Sequence, residues 1–220
     1  MKNNNFCIKN GIRPRQAGYT LVELSITVSI IAVLIVGTLT GVQRLLRANN
    51  ANNTLTQTQV ATSNISRLFA SSGASVYGTA AIAGTSDLAK LGVWDPLVVA
   101  TVGTGATSTR TVTHPFSGRV QVGPNVAAVG TALASTGYWY RISNIPEDVC
   151  PSLASSFVNS ATGIYINAAA STTAAAISGS PASTLGYKIP GTALLNTANL
   201  ATACDAGASG TVEIALFIAS

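Results

Sequence analysis

The chain has 220 residues, 47% of them hydrophobic and only 9% charged, where an ordinary soluble domain carries roughly a quarter charged. With a mean hydropathy of +0.41, this composition argues against a plain cytoplasmic globular enzyme and for contact between part of the chain and lipid. The basic balance, 12 Lys and Arg against 7 Asp and Glu, is not a nucleic-acid footprint. Four of the cations, Lys2, Lys9, Arg13 and Arg15, fall in the first 18 residues and every acid falls beyond them, leaving eight positive against seven negative charges in the remainder. The basicity is an N-terminal address. Only Arg110, Arg119, Arg141 and Lys188 are spread through the second half of the chain, so no nucleic-acid partner is expected.

Residues 1–18 are polar and basic without an acid, and Gly11 and Pro14 oppose a stable helix. They read as a flexible cytoplasmic leader. Residues 24–42 are nineteen consecutive uncharged, mostly apolar residues. At about 1.5 Å per residue such a helix crosses a hydrocarbon core of roughly 30 Å. The four leader cations precede it and only Arg44 and Arg47 follow closely. The positive-inside rule therefore keeps the N terminus in the cytoplasm and sends residues 43–220 outward. A secretory signal would be shorter and end in a small-residue cleavage site, whereas this run ends in Gln43-Arg44. A plain signal anchor is the stronger alternative. Glu23 speaks against both, because a carboxylate at the mouth of a membrane helix costs up to roughly 2.5–3.5 kcal/mol if drawn to the bilayer centre and calls for a partner.

Arg15-Gln16-Ala17-Gly18, followed by Tyr19-Thr20-Leu21-Val22-Glu23-Leu24 and the long apolar run, resembles the type IV pilin signature. The resemblance implies that a prepilin peptidase cuts between Gly18 and Tyr19, that the new N terminus at Tyr19 is methylated, and that Glu23 is the family's assembly glutamate. Tyr19 departs from the commoner phenylalanine, or from the methionine or leucine of the type IVb branch, but keeps an aromatic in place. The helix-kinking proline often found in the family is also absent, and Gly37 and Gly41 are the breakers near that point.

In this reading Glu23 has a physical task. Cleavage exposes a cationic amine at Tyr19, and a filament core of packed apolar helices would leave that charge unpaired at a cost of several kcal/mol. Glu23 of one subunit can neutralise the amine of its neighbour and so specify the axial step. The bland alternative, an acid favoured at a helix N terminus by the dipole, is worth about 0.3–1 kcal/mol. Gly37-Thr38-Leu39-Thr40-Gly41 is a small-xxx-small pattern that would let neighbouring helices approach closely. The same two glycines lower helix propensity, each by nearly 1 kcal/mol relative to alanine, so the stretch could equally unwind in an assembled filament.

Beyond Arg44 the pattern turns amphipathic. Val42, Leu45, Leu46, Leu55, Ala61, Ile65, Leu68 and Phe69 recur mostly at helical spacings, which predicts one helix over residues 20–72, roughly 80 Å long. Its second half is expected to pack on a globular head formed by residues 73–220. In the head, strands are expected at residues 119–122, 138–142, 163–167 and 211–217. Helices are expected from Asn144-Ile145-Pro146 to about Phe157 and over residues 193–203. Residues 101–113 and 168–184 are low-complexity Ala, Ser, Thr and Gly and read as exposed loops. The predicted fold class is α+β, a long N-terminal helix packed on an antiparallel sheet, the ladle form of pilins.

Of three cysteines, Cys7 lies in the leader, and Cys150 and Cys204 remain as an even pair in a domain expected to be exported. A disulfide between them is the economical reading, and closing so long a loop is worth about 4 kcal/mol in the chain-entropy model. A C-terminal cysteine pair also resembles the disulfide region of type IV pilins. Pro146-Glu147-Asp148-Val149-Cys150, Ala201-Thr202-Ala203-Cys204 and the His114-Pro115-Phe116-Ser117-Gly118-Arg119 turn resemble most the type IVb, thin-pilus pilins of conjugative plasmids.

Little else carries chemistry. His114 is the one histidine and has no acid near it in sequence, so no catalytic triad or histidine metal set can be built locally. Asp205 with the carbonyls of residues 206–209 would offer calcium a single carboxylate, too few for a site. No catalytic residue, metal or cofactor is expected. The resemblance implies a structural subunit: a precursor in the bacterial inner membrane, N terminus in the cytoplasm, processed by prepilin peptidase and built by the inner-membrane pilus machinery into an extracellular helical homo-oligomer. A minor pilin or type II secretion pseudopilin that primes assembly is the alternative, and a tip adhesin is a third.

Overall fold

A computed structural model of the chain describes residues 19–70, 84–104, 108–124, 137–167, 186–191, 195–205 and 210–219. The leader with Cys7 and Gly18, the low-complexity residues 168–184 and residues 206–209 lie outside them. The chain divides into two compact units, Met1–Leu45 and Leu46–Ser220. Helix α1, Leu21–Phe69, contributes residues to both and lies within the span expected from the sequence.

In the second unit seven strands form one antiparallel sheet in the order β1-β2-β3-β4-β7-β5-β6. They are β1 (Val99–Val102), β2 (Thr109–Thr113), β3 (Arg119–Pro124), β4 (Gly137–Pro146), β5 (Gly163–Asn167), β6 (Gly186–Lys188) and β7 (Thr211–Ala219). The long central pair β4–β7 sets the alternation. Tyr140 stands opposite Leu216 and Ile142 opposite Ile214, and these side chains, with Val120, Val122, Ile164 and Ile166, belong to the main core. The intervening residues Trp139, Phe217, Tyr165 and Ala215 form a second cluster on the other face, as the period of two requires. Trp139 meets Tyr165 and Phe217 with ring centroids 5.4 Å apart in both cases.

The second half of α1 enters the main core through Thr54, Thr58, Ala61 and Ile65, spaced by four, three and four residues so that they share one stripe. Ala51, Leu55 and Phe69 flank it, partly buried. Ala61 and Ile65 are where the apolar pattern puts them. Leu46 and Leu68, expected on the same face, are exposed instead, and two threonines take the places facing the sheet. Their hydroxyls are satisfied within the helix, Thr54 donating to the Asn50 carbonyl and Thr58 to that of Thr54, each at 2.8 Å. Small side chains there admit the Tyr140 ring, whose hydroxyl accepts the Trp94 indole N–H at 3.2 Å and is hydrogen-bonded to Thr58. Burial pushes that phenol up to about 12, so it stays protonated through the ordinary pH range.

Four segments differ from expectation. The predicted loop over residues 101–113 contributes to β1 and β2, because the β-branched runs Val-Ala-Thr-Val and Thr-Arg-Thr-Val-Thr outweigh the glycines between them. The helix expected to start at Asn144 starts six residues later, as α3 (Cys150–Ser156). Residues 144–146 finish β4 past a bulge: Asn144 takes φ +62°, and Ile145, fully buried, pairs with Val212. The acids of the expected first turn lie in the turn between strand and helix, where Asp148 pairs with Arg47 of α1. Helix α2 (Gly84–Lys90) and strand β6 had no prediction. Helix α4 (Thr197–Cys204) falls largely within the predicted span. Its start is set by Asn196, whose side chain accepts the Asn199 N–H at 2.9 Å.

The corner joining β2 to β3 is the tightest point of the head. Ser117 adopts φ +60°, and the His114 carbonyl accepts the Ser117 N–H at 2.8 Å. A Cβ on Gly118 would stand 1.9 Å from the Ser143 carbonyl oxygen and 2.3 Å from His114 Nε2. Only glycine fits without displacing β4 or the histidine. Gly118→Ala should therefore cost about 1–3 kcal/mol of head stability, read as a lower urea midpoint in the fluorescence of Trp94 and Trp139 of the detergent-solubilised chain. Gly37→Ala, whose Cβ meets nothing within 4 Å, should leave that midpoint in place, and equal midpoints for the two variants would refute the close corner.

Candidate functional site

The first unit holds the residues that the sequence singles out. Thr20 caps α1: its Oγ1 accepts the Glu23 N–H at 3.3 Å and its carbonyl accepts the Leu24 N–H at 3.1 Å. This is the threonine half of a capping box. It sets Glu23 in the first turn, where the helix dipole favours a carboxylate. The local, bland role of Glu23 thus has its geometry. Tyr19 precedes the cap and is 81% exposed.

Every large apolar residue in the span from Leu21 to Val42 is more than half exposed. Val33, Leu34, Ile35 and Val36 are consecutive, so the exposure covers all faces of the helix. The hydroxyls among them offer nothing outward. Ser25, Thr27, Ser29, Thr38 and Thr40 each donate to a carbonyl one turn back, at 2.8–3.0 Å. The result is a cylinder with an apolar skin and satisfied backbone, long and apolar enough to cross a membrane. Gly37 and Gly41 lie on it, with open space where a side chain would be. The leader and Gly18 fall outside the described residues, so the geometry around the Gly18–Tyr19 bond is not on view.

In the second unit, Cys150 opens α3 and Cys204 closes α4. They form a disulfide with Cα atoms 5.7 Å apart, and both residues are buried in the main core. The bond staples two short helices that also enter the main core through Leu153, Ala154 and Ala203. Lys188 on β6 adds a polar tie, donating from Nζ to the carbonyls of Val158 and Ala161, both at 2.6 Å, just beyond α3.

Two buried polar arrangements were not legible in the sequence. Arg141 on β4 donates from Nε to Glu213 Oε1 on β7 at 2.6 Å, and Nη2 reaches the same oxygen. Glu213 is 1% exposed. A single acid inside the apolar run Val212–Phe217 and a single arginine inside Tyr138–Ile142 were the available signal. His114 sits at the β2–β3 corner, its Nε2 2.7 Å from the Ser143 carbonyl and its Nδ1 3.4 Å from the Phe116 N–H. Nδ1 accepting and Nε2 facing a carbonyl define the neutral, Nε2-protonated ring. Burial lowers its pKa to about 4, opposed by the Ser143 hydrogen bond. Ser143 also holds Arg119, accepting its N–H at 2.9 Å and donating to its carbonyl at 3.1 Å. His114 is thus a structural wedge. Among the described residues no three His, Cys, Asp or Glu side chains gather closely enough to hold a metal.

Two outcomes follow. A histidine with its pKa lowered on folding stabilises the fold fully above 6.5, and the stabilisation drains away as pH falls toward 4, because the unfolded chain takes up the proton first. Unfolding free energy should fall by about 1.2 kcal/mol from this group between pH 6 and 5, and His114→Gln should flatten that slope. An unchanged slope in urea melts would show that the ring does not titrate this way. Cys204→Ser should cost the head up to about 4 kcal/mol, visible as a lower urea midpoint and lower abundance of the protein in cells.

Residues 13–39 match the model of the prokaryotic N-terminal methylation motif. No curated protein is similar enough to this chain to count as a match. Among solved structures, a type IVb pilin from Salmonella typhi is 18% identical, with a TM-score of 0.48 over 76% of this chain and 97% of that one. The matched segment spans Arg13, Arg15, Gly18, Tyr19, Glu23 and the apolar helix through Leu39, and its residues from Tyr19 onward are those whose exposure sets the first unit apart. The chain thus carries a prokaryotic N-terminal methylation motif that leads into an apolar helix, with an antiparallel sheet in the second unit.

Proposed function

We propose that this chain is the precursor of a major pilin, a structural subunit with no catalytic role. It is held in the bacterial inner membrane by residues 19–42 with its N terminus in the cytoplasm. Prepilin peptidase removes residues 1–18 by cutting after Gly18, and the exposed amine of Tyr19 is methylated. The inner-membrane pilus machinery then draws the helix from lipid into an extracellular filament of identical subunits. The observation that carries this reading is the helix apolar on every face with one carboxylate in its first turn, directly inside the methylation motif. Such a cylinder is stable in only two surroundings, lipid or a bundle of its own kind, and a pilin uses both in turn.

In the bundle, Glu23 meets the methylated amine of an adjacent subunit. The pair sets the axial register, because a subunit at the wrong height would bury both charges unpaired. Gly37 and Gly41 present a surface without side chains to neighbouring helices. Lateral approach of backbones is the use that fits an intact helix at this point.

The intact mass of protein sheared from cells tests the assignment. The expected species lacks residues 1–18, carries one added methyl group and is two hydrogens lighter than the reduced chain. Processed protein confined to the membrane fraction would overturn the major-pilin reading in favour of a minor pilin or pseudopilin that primes assembly. Glu23→Ala should be cleaved normally yet give at least tenfold fewer filaments, and normal filament numbers would remove the register role.

A further inference from the structure

The sheet of the head has two edges, and they are built differently. At β6 two carbonyls are already bonded to the chain that follows: that of Tyr187 accepts the Asn196 N–H at 2.9 Å, and that of Gly186 accepts from Asn199 Nδ2 at 3.0 Å. At β1, among the described residues, nothing pairs with the outer edge. Ala100, Thr101 and Val102 are all exposed, with Val102 at 63% and Leu97, just before the strand, at 93%. Edge strands are ordinarily guarded by being very short, or by a lysine, a proline or a bulge, and β1, at four residues, has only the first of these guards. Val99–Val102 contains neither residue and pairs with β2 without a register shift. From Pro96 to Thr109 no side chain is charged.

The hydrogen bonding defines which peptide groups face outward. The Val99 N–H turns back to the Pro96 carbonyl, and the N–H of Arg110, the partner of Thr101 across the ladder, goes to Ser86 Oγ at 3.0 Å. Val99 and Thr101 therefore occupy the pairs of the β1–β2 ladder that exchange no hydrogen bonds. The Val99 carbonyl and both peptide groups of Thr101 point away from the sheet.

We infer that β1 is a self-docking edge, which pairs antiparallel with β1 of a second copy about a two-fold axis at Ala100. Three observations choose this occupant. With two of the carbonyls on its three residues already bonded, the β6 edge is a poor partner for continuing the sheet head to tail from one copy to the next. The paired window is confined to Val99–Val102 by the turn at Pro96–Val98 on one side and by Gly103, at φ +87°, on the other. Within it, a two-fold at Ala100 sets the Thr101 N–H of each copy against the Val99 carbonyl of the other, and no charge opposes its like. A two-fold contact closes on itself and does not propagate along a polar filament. Given the filament reading above, it joins copies in neighbouring filaments. A contact of two hydrogen bonds is weak singly and gains strength by repetition along each filament.

The test is a cysteine cross-link in cells expressing the full chain with Cys7→Ser, so that Ala100→Cys carries the one free thiol. Facing residues of such a pair lie about 4.5 Å apart at Cα, within reach of a disulfide. Copper-phenanthroline oxidation should convert Ala100→Cys to a covalent dimer at least tenfold more efficiently than Leu97→Cys, which is more exposed but outside the window. Adding Thr101→Pro removes the outward N–H without touching the β1–β2 ladder and should abolish the cross-link. Equal cross-linking at positions 97 and 100, or cross-linking that survives Thr101→Pro, overturns the strand pairing. Electron microscopy tests the filament half separately: side-by-side filaments in the wild type and single ones in Thr101→Pro support it, and single filaments in both refute it. A wild type without any filaments would sink the filament reading, while the cross-link still decides the pairing.

Discussion

A helix with apolar side chains on every face cannot be left in water, and the span from Leu21 to Val42 is such a helix. Burying a single leucine- or isoleucine-sized side chain is worth about 1.5–3 kcal/mol, so the exposed skin of this segment outweighs the roughly 5–15 kcal/mol that stabilise a typical domain. Wherever the chain goes, this segment must be covered by lipid or by other helices. The internal hydrogen bonds of Ser25, Thr27, Ser29, Thr38 and Thr40 complete the condition, since no hydroxyl is left seeking a partner in an apolar surrounding. Glu23 is the exception, and a carboxylate in that position gains its meaning from what lies next to it.

The same helix changes character within a few turns. After Arg47 its polar residues multiply, and one stripe of small and β-branched side chains, Thr54, Thr58, Ala61 and Ile65, enters the head core. The stripe works because the sheet supplies the bulk. Tyr138 and Tyr140 come from β4, and the Tyr140 hydroxyl finds Trp94 and Thr58 in place of water. Large rings on the sheet meet small residues on the helix, as close packing requires. The far face of the sheet is held by aromatic contacts around Trp139 and by the buried pair of Arg141 and Glu213. Breaking that pair from one side would cost more than breaking a surface pair, because Glu213 is 1% exposed.

Local chemistry shapes the head's connections. Gly118, Ser117 and His114 make one corner in which the backbone approaches too closely for any side chain, and Asn144 answers across it, donating from Nδ2 to the Phe116 carbonyl at 2.9 Å. The corner and the bulge in β4 support each other: the bulge turns Ile145 into the core and leaves the Ser143 carbonyl facing the histidine. The disulfide at Cys150 and Cys204 secures the short helices, which have too few residues to hold themselves.

The sequence by itself determined the long helix, its apolar first half, the N-terminal motif through Glu23, the cysteine pair and the four strands with clear alternation. Each is a local or periodic signal: a run of uncharged residues, a fixed spacing, an even count, a period of two. Only the tertiary structure decided the rest. Thr54 and Thr58 face the sheet because Tyr140 needs room there, and a pattern search for apolar residues passes over them. Strands β1 and β2 have β-branched runs of their own, but each is completed by its partner inside a segment whose overall composition reads as loop. Asn144 and Ile145 extend a strand, against a good local helix-start pattern, because pairing with β7 buries Ile145 completely. Contacts between residues far apart in the chain outweigh local preferences worth about 1 kcal/mol or less each, and no window of neighbouring residues contains them.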